Sequence, residues 1–340
     1  MPLGDVAVAL SGGIDSSYAA YLLKEAGWNV LAVTFIFCDG QEETVSRAEK
    51  VATLLGVVHR VINLRKRFDE LVVKPFIQEY LKSRTPNPCV ICNPLLKWET
   101  LRNEFNGMHI ATGHYARVRK SGRRFLLLRG RDKGKEQSYF LYRLTQSQLE
   151  RTVFPLGEMT KSKVNKEAER IFGNIFDSYR GSQDSCFLLG GGLKQVLKGY
   201  LAPGDVVDTS GKVTGRHNGA ALFTIGQRRG FGSFGEPRYV VRIDTKSNRV
   251  YIGNEEQLYK RRFSIVDTNW FPYEYPRERF QAICKIRYLH PGAEAVVSCS
   301  GGRYIVEFSE PQKAITPGQS AVFYDGDRVI GGGIIDRVFE

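Results

Sequence analysis

The amino-acid sequence predicts an α/β fold, in which an amino-terminal domain built on a parallel β-sheet is followed by two small β domains, the last barrel-like. In the first part of the chain, apolar runs typical of buried strands alternate with helical patterns, as in a parallel sheet covered on both faces. After about residue 200, short runs of alternating polarity separated by turn signals replace that order. Because 340 residues exceed one ordinary core, we expect domains at residues 1–200, 201–265 and 266–340.

The predicted elements of the first domain alternate in type. Strands are expected at residues 6–10, 29–37, 57–62 and 109–113. Helices are expected after residue 16 and at residues 42–55, 68–82 and 138–172. Gly56 is expected to end the second helix, Pro75 interrupts the third, and residues 155–157 break the fourth. Ligands of such sheets bind at the carboxyl ends of the strands, where residues 11–16 and 113–114 are predicted to lie.

The chain is strongly basic. Its net charge is +13, and residues 117–135 alone contain nine Lys or Arg and one Asp around a turn predicted at residues 121–122. Such a surface attracts polyanions, of which nucleic acid is the commonest, although a charge that serves solubility alone is the alternative. Beyond this predicted hairpin, strands are expected at residues 238–243, 249–252, 293–298 and 304–308.

The segment Ser11-Gly12-Gly13-Ile14-Asp15-Ser16 joins the first predicted strand to the first predicted helix. Glycines let backbone N–H groups approach phosphate oxygens, and a helix amino end adds positive potential. The serines offer hydroxyls, and Asp15 is a candidate ligand of Mg²⁺. A tight turn that merely needs glycines is the alternative. The segment is not a Walker loop, and residues 130–135, the nearest candidate for one, have the wrong spacing.

The cysteines indicate chemistry rather than a disulfide framework. No secretory signal and no uninterrupted apolar run of membrane-spanning length is seen, so we expect a cytoplasmic protein that keeps its cysteines as thiols. Cys89 and Cys92 form a CxxC pair in a proline-rich loop, a spacing that suits metal ligation or thiol–disulfide exchange. Cys186, in a polar loop over residues 181–187, is the third candidate sulfur. The remaining cysteines are expected to be small core residues: Cys38, Cys284 and Cys299.

A reactive cysteine needs positive surroundings, because the thiolate is both the nucleophile and the metal ligand. Arg84, Lys97, His114 and the basic hairpin are candidates to supply them. His114 is alternatively an ordinary polar residue at a strand end.

With these residues in view, the sequence resembles the tRNA-specific 2-thiouridylases, which carry the pyrophosphate loop of ATP pyrophosphatases. The resemblance runs nearly end to end. Its motifs are LSGGIDS (10–16), TPNPCVICN (85–93), ATGHYAR (111–117), QSYFL (137–141), FTIGQRRG (223–230) and TPGQSAVFY (316–324).

The resemblance implies an enzyme that adenylates O2 of the wobble uridine 34 of tRNA with ATP and Mg²⁺ and then replaces that oxygen with sulfur. Cys92 corresponds to the nucleophile, and Cys186 carries a persulfide charged by a sulfur-donor protein or sulfide source. A Cys92–Cys186 disulfide forms during turnover. The resemblance also implies a monomer that pairs, if at all, on tRNA.

The same resemblance implies the contacts of the other site residues. ATP is expected at Ala9, Leu10, Ser11, Gly12, Gly13, Ile14, Asp15, Ser16, Phe35 and Gly113. The target base is expected at Asn87, Pro88 and Cys89, and the rest of the tRNA at His114, Lys135, Glu136, Gln137, Arg287, Tyr288 and Gln319. Arg287 and Tyr288 pair a guanidinium that binds phosphate with a ring that stacks on bases, which is typical of RNA recognition.

Three positions depart from the family pattern. Cys89 stands where many members have Asp, so Cys89, Cys92 and Cys186 are alternatively three ligands of a [4Fe–4S] cluster that would replace the persulfide route. Phe35 stands where relatives often have Met, and Glu136 where Asp is usual. Two rival functions remain at this stage: another RNA-binding ATP pyrophosphatase, and a non-enzymatic RNA-binding protein. The first would leave the cysteines unexplained, and the second would not need Asp15 or Cys92.

Overall fold

The computed structural model describes residues 3–177, 186–188, 192–272, 276, 278–300 and 302–340. The chain forms two compact units. Unit 1 comprises residues 1–72, 89–187 and 326–330, and unit 2 comprises residues 73–88, 188–325 and 331–340. Within the described part of the chain, every helix is too short or too polar to cross a membrane.

The strands are β1 (Asp5–Ala9), β2 (Asn29–Ile36), β3 (Val58–Asn63), β4 (His109–Thr112), β5 (Ala116–Ser121), β6 (Arg124–Arg129), β7 (Thr152–Val153), β8 (Gly204–Asp208), β9 (Val213–His217), β10 (Tyr239–Asp244), β11 (Arg249–Gly253), β12 (Tyr259–Trp270), β13 (Arg279–Lys285), β14 (Ala293–Ser300), β15 (Arg303–Lys313), β16 (Ser320–Asp325) and β17 (Arg328–Val338). The α-helices are α1 (Ile14–Glu25), α2 (Glu42–Leu55), α3 (Arg65–Phe68), α4 (Lys74–Leu81), α5 (Pro88–Cys92), α6 (Glu99–Glu104), α7 (Gln146–Glu150), α8 (Lys161–Phe172) and α9 (Gly192–Val196).

Unit 1 is built on the predicted parallel sheet, with strand order β3-β2-β1-β4-β7. The central strand β1 is apolar on both faces, and its residues Val6, Ala7 and Val8 are fully buried. Helices α1, α2 and α8 contribute to the same hydrophobic core. The α/β class predicted from the sequence is therefore confirmed, and so is helix 42–55, which ends at Gly56 in the left-handed conformation.

Two predicted helices are corrected by the structure. The helix expected over 68–82 is α3 followed by a π-helical turn at Asp69–Val73 and then α4. Pro75 lies in the first turn of α4, where the missing proline N–H costs no hydrogen bond. The helix expected over 138–172 is continuous only as α8, because Thr152–Val153 pairs with β4 as an edge strand of the sheet. At Thr152–Val153, pairing with a strand that is distant in sequence therefore determines the structure, although the apolar residues have helical spacing.

The basic segment forms the predicted hairpin. Strands β5 and β6 pair antiparallel across a turn at residues 122–123, and Leu128 of β6 pairs with Arg328 near the carboxyl terminus. The ion pair between Arg117 and Asp327, at 2.8 Å, lies at the same junction. Residues 326–330 therefore complete the hairpin of unit 1 although they are distant in sequence.

Unit 2 contains a four-stranded sheet and a closed barrel. The sheet has the strand order β10-β11-β8-β9. The barrel follows the order β12-β15-β14-β13-β16-β17 and is closed by pairing of β12 with β17. Strand β12 crosses residue 265, the boundary expected between the second and third domains, and the division into three domains stays a prediction.

Closure of the barrel depends on a glycine. Gly331 of β17 pairs with Trp270 of β12, and a Cβ added at Gly331 would lie 2.3 Å from the carbonyl oxygen of Asn269. We expect Gly331→Ala to lower the free energy of unfolding by about 1 to 3 kcal/mol, as measured by urea denaturation. Gly235→Ala is the control, since a Cβ there meets nothing within 4 Å. Equal urea midpoints for the two variants would contradict this role of Gly331.

Candidate active site

The phosphate loop, residues 11–16, leads from β1 into α1 and is shaped by serine hydroxyls. The backbone N–H of Ser11 donates to Ser16 Oγ at 3.1 Å. The hydroxyls of Ser16 and Ser17 donate to the carbonyl of Gly13 at 3.0 and 2.9 Å. The first N–H groups of a helix have no partner within it. At the start of α1 these groups are available to phosphate oxygens, and the helix dipole favours negative charge there.

Two glycines make the loop possible. Gly12 has a φ of 65°, and a Cβ added to it would lie 2.4 Å from the carbonyl oxygen of Thr44. A Cβ added to Gly113, just after β4, would lie 2.6 Å from the backbone nitrogen of Ser16. Residues 11–16 and 113, which were expected to share a site, are therefore close together, because Gly113 packs against the backbone of the first turn of α1.

Asp15 is the charged centre of the loop. Its Oδ1 accepts a hydrogen bond from the Tyr115 hydroxyl at 2.8 Å and one from the Lys161 ammonium at 2.6 Å. Burial raises the pKa of Tyr115, and the nearby carboxylate of Asp15 raises it further, so Tyr115 stays a hydrogen-bond donor. Lys161 is the first residue of α8.

The predicted tRNA segment 135–137 adjoins this centre. Gln137 forms two hydrogen bonds with the backbone of Tyr115. Its side-chain oxygen accepts from the Tyr115 N–H at 3.0 Å, and its backbone N–H donates to the Tyr115 carbonyl at 2.9 Å. Glu136 is buried and accepts from the N–H of Ser138 at 2.6 Å. Lys135 is exposed. In this structure Glu136 and Gln137 support the fold, and their contact with tRNA stays a prediction.

The CxxC pair lies on helix α5, which continues into a π-helical turn at Asn93–Trp98. Cys92 is buried and Cys89 is half-buried. The segment is fixed at Asn93, whose side-chain amide donates to the Phe140 carbonyl at 3.1 Å, and at Trp98, whose indole N–H donates to Thr152 Oγ1 at 2.7 Å. Such π turns are frequent at functional sites.

Burial opposes thiolate formation here. It raises the pKa of Cys92 to about 11, and the ammonium of Lys97 lowers that pKa while Cys89 raises it. Burial also raises the pKa of Cys89, against the same lowering effect of Lys97. At neutral pH the resting protein therefore holds both as thiols, with Lys97 as the group that favours ionisation.

The pKa of Cys186 is influenced by the charges of Cys89, Cys92 and Lys97. Solvent reaches the residue, yet the surrounding protein penalises a thiolate and raises the pKa of Cys186 to about 12. Cys92, Cys89 and Cys38 contribute to this rise in pKa, and the charge of Lys97 acts against it. Residues 181–185 of the loop expected around Cys186 lie outside the described residues.

Cys38 is not the core residue expected from the sequence. It follows β2 at the carboxyl edge of the sheet, is half-buried, and its sulfur lies 3.6 Å from the Cys186 carbonyl oxygen. Cys284 is fully buried in the barrel as predicted, and Cys299 is half-buried.

An iron–sulfur cluster does not fit the cysteines as they are arranged. Within the described residues, which include Cys89, Cys92 and Cys186, no three His, Cys, Asp or Glu side chains are grouped so that they could hold a metal ion. We therefore derive no step through a cluster.

His114 is a neutral group. Its Nδ1 lies 2.8 Å from Thr112 Oγ1, and its ring packs near those of Trp98 and Phe154. Burial and, to a smaller extent, the charge of Lys97 lower the pKa of His114 to about 3. It can therefore exchange hydrogen bonds with a ligand at neutral pH but cannot attract phosphate by charge.

The residues expected around the adenosine moiety of ATP lie along β1 and β2. The backbone of Leu10 donates to the Val33 carbonyl at 2.8 Å and accepts from Thr34 Oγ1 at 2.7 Å. Ala9 pairs with Val33, and the Phe35 ring is buried against Phe37. The backbone of this edge, rather than these side chains, is what a ligand could reach.

The other predicted tRNA residues belong to unit 2. Gln319 donates through its side-chain amide to the Thr85 carbonyl at 2.8 Å, which fixes the segment that carries Asn87 and Pro88. Arg287 is exposed and donates to the Lys313 carbonyl at 3.1 Å. Tyr288 is half-buried, with the Lys285 ammonium 5.7 Å from its ring centroid.

Sequence reasoning missed the partners of Asp15. Tyr115 was noticed only as part of a motif, and Lys161 begins a helix far along the chain without a motif of its own. A lysine at the first position of a helix is a weak signal, since acidic residues are preferred there. Cys38 was missed because an apolar neighbourhood suggests burial.

Comparison with known proteins gives three family-model matches. The model described as "tRNA methyl transferase HUP domain" matches residues 4–190. "tRNA methyl transferase PRC-barrel domain" matches residues 193–254, and "Aminomethyltransferase beta-barrel domain" matches residues 260–335.

Relatives match over nearly the whole chain. A protein of Syntrophotalea carbinolica named "tRNA-specific 2-thiouridylase MnmA" is 44% identical over 97% of this chain and 98% of its own length. One of Caldanaerobacter subterraneus, "tRNA-specific 2-thiouridylase MnmA 1", is 42% identical over 98% of each chain. A solved structure of a "predicted subunit of tRNA methyltransferase" from Methanocaldococcus jannaschii is 26% identical over 49% of this chain and 75% of its own, with a TM-score of 0.35.

The contact between Gly113 and α1 can be tested by adding one methyl group. Gly113→Ala is expected to push the phosphate loop away from β4 and to weaken Mg–ATP binding by about 10- to 100-fold, as measured by isothermal titration calorimetry. Gly199→Ala, where a Cβ meets nothing within 4 Å, should bind as the wild type does. Unchanged affinity in Gly113→Ala would mean that the loop does not hold the nucleotide.

The influence of Lys97 on Cys92 can be measured by alkylation. Because the pKa of Cys92 is about 11, its reaction with iodoacetamide should accelerate as pH rises from 8 towards 11. Lys97→Met removes the charge that lowers this pKa, so the rate at pH 8 should fall by about three- to tenfold. Mass spectrometry of the Cys92 peptide gives the rate, and Lys133→Met is the control. Equal rates in the wild type and Lys97→Met would refute the coupling.

Proposed function

Because this chain belongs to the family of tRNA-specific 2-thiouridylases, we propose that it uses ATP to replace O2 of the wobble uridine 34 of tRNA with sulfur. The observation that carries the proposal is that one compact unit contains both a phosphate loop and a coupled group of thiols. ATP activation and sulfur transfer need these two parts. The family models are described as methyl transferases, but methyl transfer would leave both parts unexplained.

The first step is adenylation of the uridine. O2 attacks the α-phosphorus of ATP, the bond from that phosphorus to the bridging oxygen breaks, and pyrophosphate leaves with the electron pair. The N–H groups at the start of α1 stabilise phosphate charge. Asp15 would hold Mg²⁺, which neutralises the leaving pyrophosphate. An oxygen that is a poor leaving group becomes part of AMP, which leaves readily.

The second step transfers sulfur. The terminal sulfur of a persulfide on Cys186 attacks C2, and the C2–oxygen bond breaks with release of AMP. A Cys92 thiolate then attacks Cys186 Sγ, so that a Cys92–Cys186 disulfide forms and the second sulfur stays on C2 as 2-thiouridine. A persulfide-bearing donor protein or sulfide source must recharge Cys186, and a thiol reductant must open the disulfide.

The raised pKa values of both cysteines suit this sequence of steps. A thiol that is protonated at rest reacts slowly with oxidants in solution, since reactivity follows the thiolate. Lys97 lowers the pKa of Cys89, Cys92 and Cys186 alike. The Lys97 ammonium is therefore the group that would favour the thiolate forms of these cysteines when the target base is bound.

The wobble base of the tRNA must be unstacked from its neighbours to reach the site. The net charge of +13 favours a nucleic-acid partner, and we assign the anticodon arm to Arg287, Tyr288, Gln319, His114 and residues 135–137. Asn87, Pro88 and Cys89 would contact the base itself. Sequence-specific recognition of RNA depends on such unstacked bases. The proposal places a monomer in the cytoplasm, where thiols stay reduced.

The proposal is tested by analysing tRNA nucleosides. Unmodified tRNA is incubated anaerobically with enzyme, Mg–ATP and a persulfide donor, and 2-thiouridine is quantified by mass spectrometry. Cys92→Ala and Cys186→Ala should each lower thiolation by about 1,000-fold or more, while Cys299→Ser retains it. Thiolation by Cys92→Ala at the wild-type rate would refute the nucleophile.

Iron and acid-labile sulfide are measured on the same anaerobic preparations. Activity in iron-free enzyme supports the persulfide route. Activity that appears only with bound iron would establish the cluster alternative instead. Absence of 2-thiouridine with every tRNA tested would favour another RNA-binding ATP pyrophosphatase.

A further inference from the structure

We infer that Lys161 is a catalytic residue that binds the departing pyrophosphate of ATP, and that Asp15 holds its ammonium in place until the nucleotide arrives. The inference deepens the proposed function and rests on it. It follows from the position of Lys161, from the charges around the phosphate loop and from the way its backbone is anchored.

Lys161 reaches the phosphate loop from another helix. Lys161 is the first residue of α8, a helix of 12 residues, and its ammonium lies 2.6 Å from Asp15 Oδ1. Asp15 is the second residue of α1, so the ammonium lies at the end of α1 where the unpaired N–H groups are found. The Lys161 side chain is 23% exposed, which leaves its tip accessible to a ligand.

The charges at the loop require such a cation. A carboxylate at a phosphate site repels ATP unless a positive group or a metal ion balances it. Arg47 is the other cation described at the loop, but its Nε already donates to the Gly12 carbonyl at 3.1 Å and its guanidinium pairs with Glu43. The Lys161 ammonium instead balances Asp15 through one short contact at its tip.

The backbone of Lys161 is fixed while its tip can exchange partners. The Lys161 N–H donates to Asp132 Oδ2 at 2.8 Å, and Asp132 Oδ1 in turn accepts from the Gly134 N–H at 2.9 Å. A lysine has a flexible four-carbon stem and three donors. Its ammonium can therefore turn from a carboxylate to a phosphate oxygen without any movement of the helix.

The exchange follows from the charges that ATP brings. Asp15 would hold Mg²⁺ and already accepts a hydrogen bond from the Tyr115 hydroxyl, so that the Lys161 ammonium would be able to turn towards the β- and γ-phosphate oxygens. As the bond from the α-phosphorus breaks, negative charge grows on the bridging oxygen of pyrophosphate. The Lys161 ammonium would stabilise the charge on that oxygen, which is electrostatic stabilisation of the transition state.

The test compares nucleotides that do and do not carry the leaving group. Lys161→Met should weaken Mg–ATP binding by about 10- to 100-fold, and binding of AMP should change by less than about twofold. Pyrophosphate release in the presence of tRNA should fall at least as much as ATP binding. Lys161→Arg should recover part of both, and Lys163→Met, on the same turn of α8, should behave as the wild type does.

Two results would overturn the inference. ATP affinity that is unchanged in Lys161→Met would show that the ammonium does not bind the phosphates. Equal weakening of ATP and AMP would show that Lys161 only supports the loop. If the wild type binds ATP but makes no 2-thiouridine, the proposed function fails, while the comparison of ATP with AMP still decides the role of Lys161.

Discussion

The parallel pairing of β1 with β4 is the constraint on which the site depends. Val6 pairs with His109 and Ala9 with Thr112, so both strands end at the same edge of the sheet. The phosphate loop leaves one strand and Gly113 leaves the other, and the absence of a side chain at Gly113 lets their backbones meet. Tyr115 follows two residues later and reaches Asp15 from this position. The charged centre is thus a direct result of strand register.

The sulfur half of the site is governed by a balance between burial and one positive charge. Burial is the largest influence on the pKa of Cys89, Cys92 and Cys186, and in each case Lys97 acts against it. Lys97 lies in the π-helical turn that follows Cys92. In the proposed reaction, substrate binding must shift this balance towards the thiolate.

Sequence patterns predicted the helices, turns and strands whose formation depends on residues that are close together in the sequence. Helix α2 and its glycine end, the basic hairpin and the alternation of the first four strands were all readable from spacing. The failures lie where distant contacts decide. Thr152–Val153 is a strand only because β4 lies beside it, and Lys161 matters only because α8 begins beside the phosphate loop. A single sequence carries no signal for either contact, whereas residue types and spacing indicated the loop and the cysteines, and the resemblance to a family implied their roles.

The interleaving of the two units has a consequence for the order in which the protein can be made. Unit 1 includes residues 326–330, and Leu128 of its hairpin pairs with Arg328, which lies 200 residues further along the sequence. The sheet that carries the phosphate loop leaves the ribosome long before that partner exists. A product truncated in the barrel before residue 330 therefore lacks part of unit 1 as well as part of the barrel. Completion of unit 1 therefore requires synthesis as far as residue 330, long after its phosphate loop has been made.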